Sequence, residues 1–411
     1  MDAEIIAVGS ELLTPQHTDT NSLFLTERLN SLGMLVRYKT IVGDSKEDLG
    51  VVLRAALERS PLIVLTGGLG PTEDDLTRDV VAEVLSRPLH EVPELRQRIE
   101  DRFARMGRVM AENNLRQAQV PEGGEWLENR NGTAPGVWIQ HQDNIVVLLP
   151  GPPRELEPLF DSTCVPRLES VASGARIKTR VYKVVGLPES EVDQLIAPLY
   201  LPCTNPSTTI LAAPGSIEVH LQARAASDQE AEALLAELGD KIELALADHV
   251  YSTKGETLEE IVGMYLMMRQ KTLAVAESCT GGLLAERLTR VPGSSGYFLG
   301  GAVCYTNEMK TRWAGVPAEL IKAHGAVSRP VAQALAEGIC TRTGATIGVG
   351  ITGIAGPSGG SAEKPVGLVF VALADERGTE VREFRFPGSR ERIRQWATQI
   401  ALEMVRRRIR D

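Results

Sequence analysis

Three side chains in the last third of the sequence have the chemistry of a hydrolytic site. Ser278 lies in Lys271-Thr-Leu-Ala-Val-Ala-Glu-Ser-Cys-Thr-Gly-Gly282, where a short apolar run ends and a glycine-rich turn opens the amphipathic stretch Leu283 to Thr289. A hydroxyl at such a strand-to-helix turn sits near unpaired backbone N–H groups and the positive end of a helix dipole, a setting that suits negative charge developing on a substrate. Tyr305-Thr-Asn-Glu-Met-Lys310 then offers a phenol and an amine as proton acceptors. An amidase needs a nucleophile, a base and oxyanion donors. Ser278 supplies the first and the amides around Cys279 and Thr280 the third. Lys310 supplies the second if burial lowers its pKa, with Tyr305 relaying or positioning the proton. His324 sits in an ordinary Lys-Ala-His-Gly, which disfavours a Ser-His-Asp triad. Taken singly, Ser278 reads as a helix N-cap, Lys310 as a solvated amine and Cys279 as a small buried hydrophobe.

A second constellation lies near the N-terminus, in Thr66-Gly-Gly-Leu-Gly-Pro-Thr-Glu-Asp-Asp-Leu-Thr77. Gly67, Gly68 and Gly70 let the backbone approach a phosphate-bearing ligand, and Glu73, Asp74 and Asp75 are hard oxygen ligands for a divalent ion such as Mg2+. The cation is required because carboxylates alone repel phosphate. Glu11 and Asp44 follow the first and second predicted strands, so they converge on the same mouth. The alternative is a tight turn followed by a solvated helix start. The chain has no G-x-x-x-x-G-K-[ST] motif and is not a P-loop protein.

The elements that must position these groups follow an α/β pattern. Ile5 to Val8, Val36 to Val42, Leu62 to Leu65 and Ile145 to Leu149 read as strands; Ser45 caps a helix whose apolar face is Leu49, Val52, Leu53, Ala56 and Leu57. That order predicts a parallel sheet with ligands beyond its strand ends. From about Arg176 a small α+β module takes over, with strands from Arg180 and Ser216 and helices over Glu189 to Leu199 and Asp228 to Ala247. The polar Ser252-Thr-Lys-Gly-Glu256 reads as a linker before a last α/β unit. Its strands are Leu273 to Ala276, Gly300 to Tyr305, Ile347 to Ile351 and Leu368 to Leu373. Its C-terminal helix carries Ile393, Trp396, Ile400, Met404 and Val405 on one side. The expected domains are residues 1–172, 176–250 and 256–411.

With 411 residues, two or three domains each have enough chain for a core. A net charge of −10 gives no overall attraction to nucleic acid or an anionic membrane, and only 4% of residues are aromatic. Five widely spaced cysteines without C-x-x-C pairs point to reduced thiols, disfavour a sulfur-bound metal and place the protein in the cytoplasm. No run approaches the ~20 apolar residues of a membrane span.

Five collinear strings extend the N-terminal reading: Val8-Gly-Ser-Glu-Leu-Leu, Asp19-Thr-Asn-Ser, Gly67-Gly-Leu-Gly-Pro-Thr, Asn131-Gly-Thr-Ala-Pro-Gly and Leu149-Pro-Gly-Pro-Pro-Arg-Glu. Together they resemble CinA, the competence/damage-inducible protein A family, whose first domain has a molybdopterin-binding fold. That resemblance implies hydrolysis of ADP-ribose to AMP and ribose 5-phosphate with a divalent metal, Mg2+ or Co2+, often aided by K+. On it, Asp44, Asp74 and Asp75 hold metal and pyrophosphate, Gly67, Gly68 and Gly70 approach the phosphates, Glu11 and Asn21 hold the nucleotide, and Arg154 neutralises phosphate charge. Leu69 stands where the cofactor-biosynthesis relatives usually have threonine, which weakens a molybdopterin role.

Residues from about Thr257 onward resemble the CinA C-terminal domain, the nicotinamide mononucleotide deamidase PncC. The matching strings are Ala276-Glu-Ser-Cys-Thr-Gly-Gly, Val291-Pro-Gly-Ser-Ser, Gly300-Gly-Ala-Val-Cys-Tyr-Thr-Asn-Glu-Met-Lys, Gly325-Ala-Val-Ser and Gly350-Ile-Thr-Gly-Ile-Ala-Gly-Pro. The resemblance carries Ser278, Tyr305 and Lys310 into catalysis without a cofactor. Thr280, Gly281, Thr352 and Gly353 then hold the substrate, and Arg390 or Arg394 meets its phosphate. Members often have Tyr-Ser-Asn-Glu-Ala-Lys where this chain has Tyr305-Thr-Asn-Glu-Met-Lys310.

Residues 176–250 resemble the family's KH-type module, yet they lack the Gly-x-x-Gly loop that clamps a phosphate backbone and hold acids such as Glu189, Glu191 and Glu230. They read as a spacer or dimerisation module that presents Ala212 to Glu218 to a neighbouring site. The leading expectation is a bifunctional pyridine-nucleotide salvage enzyme acting on small nucleotides as a homodimer. One alternative is a deamidase whose first domain only senses ADP-ribose. The other is a non-catalytic DNA-uptake or recombination factor, which requires a basic or aromatic surface that the composition does not provide.

Overall fold

The protein is described by a computed structural model covering residues 1–172, 174–213 and 215–410. Pro214, within the segment expected to face a neighbouring site, lies outside the described residues. The chain packs as two compact units, residues 1–178 with 223–234 and residues 179–222 with 235–411.

The first unit is built on a six-stranded sheet in the order Leu35–Val42, Asp2–Val8, Leu62–Thr66, Asn144–Leu149, Gly136–His141, Gly124–Leu127. The first four strands are parallel and the last two pair antiparallel, so the sheet is mixed where the sequence pattern predicted a parallel one. The central strand Leu62–Thr66 is buried along its whole length because both faces are covered. Ile63 and Leu65 join Leu49, Leu53 and Ala56 on one face; Leu62 and Val64 join Leu25 and Leu29 on the other. The helix Lys46–Arg59 starts as predicted, with the Ser45 hydroxyl accepting the Asp48 amide at 3.3 Å.

The second unit contains a five-stranded sheet in the order Phe298–Val303, Leu273–Glu277, Ile347–Gly353, Leu368–Asp375, Gly378–Arg385. Its first three strands are parallel and the last two antiparallel. The edge strand Gly378–Arg385 was missed by the sequence reading because its Thr-Glu-Val-Arg-Glu-Phe-Arg is mostly charged, a composition that protects sheet edges.

Strands Ser207–Ala213, Ser216–Ala225, Arg176–Val184 and Val250–Ser252 form a separate four-stranded sheet. Ser252 to Glu256 is not a loose linker. The Ser252 hydroxyl accepts the Lys254 and Gly255 amides at 3.2 and 3.0 Å and itself bonds Glu256. Val185 and Tyr251 share one apolar cluster with Leu258, Val262 and Leu266 of the helix Leu258–Met268. That helix opens with a capping box, Thr257 and Glu260 satisfying each other's backbone amides.

The C-terminal helix Arg390–Arg410 buries Ile393, Ala397, Ala401, Met404 and Val405, and also a charged pair. Arg406, 2% exposed, donates Nε and Nη2 to the two oxygens of Glu403 at 2.6 and 2.9 Å. Removing one member of a buried pair leaves an uncompensated charge. Glu403→Ala therefore lowers stability by about 3–5 kcal/mol. The exposed Glu286→Ala, which breaks an i,i+4 pair with Arg290, leaves the urea midpoint of the same transition nearly unchanged.

Candidate active sites

In the six-stranded and the five-stranded sheet one strand has a parallel neighbour on each side, its own connection running to one and the chain then crossing to the other, so a crevice opens at the carboxyl ends there. In the first unit the strand is Asp2–Val8, between Leu35–Val42 and Leu62–Thr66. In the second it is Leu273–Glu277, between Phe298–Val303 and Ile347–Gly353. Both candidate sites lie at these ends.

The first crevice is a cavity of about 540 Å³ lined by Val8, Gly9, Thr66 and Gly67 at the strand ends, together with acidic side chains. Gly67 adopts φ +91°, and a Cβ there would lie 2.2 Å from the Val8 carbonyl oxygen, so only glycine allows these strand ends to approach. Glu11, Asn21, Asp44, Gly68, Gly70, Asp74 and Asp75 line the same cavity, bringing together most of the residues picked out from sequence. One carboxylate oxygen of Asp75 accepts the Thr72 amide at 2.9 Å and the Thr72 hydroxyl at 2.5 Å. One oxygen of Asp44 likewise accepts the Ser10 amide at 2.8 Å. Each carboxylate is thus aimed by one oxygen, while the other has no hydrogen-bond partner among the described residues.

The Asn21 carboxamide donates to the Gly151 carbonyl at 2.7 Å, and its own oxygen is buried without a partner. This all-oxygen donor set suits a hard divalent ion of the Mg2+ type, which takes one or two carboxylates and completes its shell with water and substrate phosphate. No group of three His, Cys, Asp or Glu side chains forms a ready cage among the described residues. Glu73 and Arg154 are exposed outside the cavity lining; Glu73 lies 3.5 Å from Arg116. Leu69 is buried against the apolar core and also forms part of the cavity wall.

Ser278 follows the last residue of the second crevice's central strand, and its amide donates to Ile351 O at 3.0 Å. The neighbouring strand ends at Val303, and Cys304 N donates to Glu277 O at 2.7 Å, which holds Cys304 and Tyr305 beside Ser278. The helix Asn307–Ala314 follows, capped by the Thr306 hydroxyl on Met309 N. Side chains on a helix lean toward its N-terminus. Lys310 accordingly reaches back to the strand end. Its Nζ lies 3.1 Å from Ser278 Oγ and 3.0 Å from each of the carbonyl oxygens of Cys304 and Tyr305.

Lys310 is 2% exposed and Ser278 7%. Burial lowers the Lys310 pKa below the ordinary lysine value, because the charged form loses its water shell. A neutral amine has two N–H bonds and one lone pair. With the two carbonyls taking the N–H bonds, the lone pair is left facing the serine hydroxyl. Cys279 is disfavoured as a rival nucleophile, since burial pushes its thiol up to about 12.

The Tyr305 phenol stands elsewhere than its expected place against the serine. It is half exposed, and its oxygen accepts Arg390 Nη2 at 2.8 Å, while Arg390 Nη1 donates to Gly356 O at 2.9 Å. Tyr305 meets Lys310 through its backbone carbonyl. Arg394 donates Nε and Nη2 to Thr280 O at 3.0 and 2.8 Å, so its fork braces the serine turn. Thr352 is buried with its hydroxyl on Ala326 O, and Gly353 ends that strand.

Glu277 had no role in the sequence reading. Its buried carboxylate accepts the Gly282, Leu284 and Ala285 amides at 3.1, 3.0 and 2.8 Å and so consumes the N-terminal donors of the helix Leu283–Thr289. The signal was an acid directly before a glycine turn and an amphipathic run. The amides of Cys279 and Thr280 are left without a hydrogen-bond acceptor among the described residues, and the buried Thr280 hydroxyl has no partner. Gly281 and Gly282 take φ +61° and +92°, which turns the chain in the left-handed sense between serine and helix.

Comparison with known proteins gives three family matches along the chain: "Probable molybdopterin binding domain" over residues 4–170, "Damage-inducible protein CinA KH domain" over 179–252 and "CinA C-terminal domain" over 255–409. A CinA-like protein of Koribacter versatilis is 53% identical over 413 residues, spanning all of both chains. A CinA-like protein of Solibacter usitatus is 50% identical, covering all of this chain and 98% of that one. Among solved structures, a competence/damage inducible protein from Agrobacterium tumefaciens is 38% identical with a TM-score of 0.36, covering 39% of this chain and all of that one. With end-to-end matches at this identity, the chain belongs to the CinA family.

Proposed function

We propose that the protein hydrolyses the carboxamide of nicotinamide mononucleotide at the Ser278 site and the pyrophosphate of ADP-ribose at the acidic cavity. The observation that carries the first activity is the Lys310 amine, buried, bonded to two carbonyls and 3.1 Å from Ser278 Oγ. Neutral Lys310 takes the hydroxyl proton as Ser278 Oγ attacks the carboxamide carbon. The oxyanion forms beside the Cys279 and Thr280 amides and the Thr280 hydroxyl. Lys310 returns the proton to the departing nitrogen, ammonia leaves, and water, deprotonated by the same amine, splits the serine ester to give nicotinate mononucleotide. Tyr305 and Arg390 form the exposed rim where the nucleotide's polar end is received.

At the acidic cavity, one or two of the carboxylates of Asp44, Asp74 and Asp75 would hold a divalent ion, with water and substrate phosphate completing its shell, and the ion would neutralise pyrophosphate charge when bound. Gly67, Gly68 and Gly70 let the backbone lie against the phosphates. Glu11 and the unpartnered Asn21 oxygen accept hydroxyl donors of the nucleotide.

Ser278→Ala lowers ammonia release from nicotinamide mononucleotide on the order of 10⁴-fold or more with the circular dichroism spectrum unchanged, since only one oxygen is removed. A smaller loss assigns the nucleophile elsewhere. The pH dependence has a definite sign: Lys310 works only when deprotonated, so kcat falls as pH drops through its folded-state pKa. Burial places that midpoint below the ordinary lysine range, and a rate that rises on acidification rules Lys310 out as the base. Asp75→Ala lowers AMP release from ADP-ribose by about 10- to 100-fold at limiting Mg2+, with partial recovery at high Mg2+. Unchanged release removes Asp75 from the metal site.

A further inference from the structure

The acidic cavity is lined by five carboxylates, Glu11, Asp44, Asp74, Asp75 and Glu155, and by no Lys, Arg or His. A groove of about 980 Å³ adjoins it, lined by Arg98, Arg102, Arg105 and Arg130 against only Asp101 and Glu128. Both cavities include Thr133, so they meet on the loop Asn131-Gly-Thr-Ala-Pro-Gly136, one of the strings the sequence reading singled out without finding it a task. That loop is held in place. Asn129 donates to Ala134 O and Glu155, both at 2.8 Å, and accepts the Asn131 and Gly132 amides at 3.0 and 2.9 Å.

Arg98, Arg102 and Arg105 stand at i, i+4 and i+7 on the helix Pro93–Arg105, a spacing that puts all three on one face. Buried Leu95 and Ile99 anchor the helix to the core. Arg98 pairs with Glu128 at 2.8 Å and lies over the Trp126 ring, 5.0 Å from its centroid. Arg102 and Arg105 have only backbone carbonyls as partners, Arg130 O at 3.0 Å and Asp101 O at 3.4 Å, and no carboxylate neutralises them among the described residues. Unneutralised guanidinium groups on one helix face favour a phosphate, and a guanidinium layered on an indole offers a flat platform for a base.

From this division of charge we infer that the arginine groove is the nucleoside monophosphate subsite of the acidic cavity. The substrate class is a nucleoside diphosphate ester that lies across Thr133, with its scissile diphosphate over the acids and its base against the Arg98–Trp126 pair. Arg102 and Arg105 take the phosphate on the nucleoside side, the role that Arg154, outside the cavity lining, does not fill. The inference rests on the proposed pyrophosphate hydrolysis for its reaction, but not for its binding.

The test compares the full-length protein with Arg102→Glu/Arg105→Glu and the milder Arg102→Gln/Arg105→Gln, in ADP-ribose turnover with Mg2+ and in calorimetric binding of AMP. The expected result is a rise of about tenfold or more in both KM and the AMP dissociation constant, with a smaller change in kcat and the glutamate pair more affected than the glutamine pair. Wild type that binds AMP but does not cleave ADP-ribose, with binding lost in the variants, supports the subsite and refutes the hydrolysis. Cleavage whose KM and AMP affinity are the same in wild type and both variants overturns the subsite and leaves the hydrolysis standing. A fall in kcat with KM and AMP affinity unchanged also overturns it.

Discussion

The chemistry proposed for the C-terminal half depends on one amine kept out of water. Lys310 Nζ is surrounded by two carbonyl oxygens and a serine hydroxyl, and no carboxylate among the described residues pairs with it. A buried ammonium lacking a counter-ion is costly, and the protein relieves that cost by favouring the neutral form. The two carbonyls that satisfy its N–H bonds also fix its lone pair. They belong to Cys304 and Tyr305, the first residues past a strand whose pairing with Leu273–Glu277 is extended by the Cys304 N–Glu277 O bond. Sheet register, helix direction and proton acceptor are therefore one constraint. A slip of one residue in that strand would turn the carbonyls away and leave the amine unsatisfied.

Glu277 makes a matching contribution from the other side. A short helix beginning just past Ser278 would compete for any nearby anion. By binding three amides at its start, the Glu277 carboxylate holds the turn rigid and leaves Cys279 and Thr280 as the amides next to Ser278 without an acceptor among the described residues. Arg394 grips Thr280 O from the C-terminal helix, so the turn is clamped from two elements. Such rigidity suits oxyanion stabilisation, which depends on donors that need no rearrangement when charge develops. The N-terminal site uses the same topological position for a different purpose, with acids aimed by Thr72 and Ser10 into a crevice that only Gly67 allows to close up.

Much of this was legible in the sequence, and the gaps have physical causes. The buried strands Leu62–Thr66 and Leu273–Glu277 are mostly apolar runs leading into glycine turns, so both their existence and the gathering of candidate side chains at their ends could be read directly. The hairpin strands Gly124–Leu127 and Gly136–His141 were missed because each is short and glycine-bordered, and their antiparallel pairing made the first sheet mixed. Ser278 and Lys310 were singled out together, but their 3.1 Å approach depends on a helix leaning back over its own entry, which spacing alone does not reveal. The Tyr305 phenol was expected beside the serine. Its partner is Arg390, 85 residues further along the chain, and long-range pairings of this kind leave no local pattern.

The most direct test of the buried-amine claim is a pH titration of the Lys310 Cε signal by heteronuclear NMR on full-length protein with 13C-labelled lysine, assigned by its loss in Lys310→Arg. The structure predicts that this resonance titrates below the ordinary lysine range. A Lys310 signal that titrates with the exposed lysines would mean that the amine is charged where Ser278 needs a base, and would contradict the account.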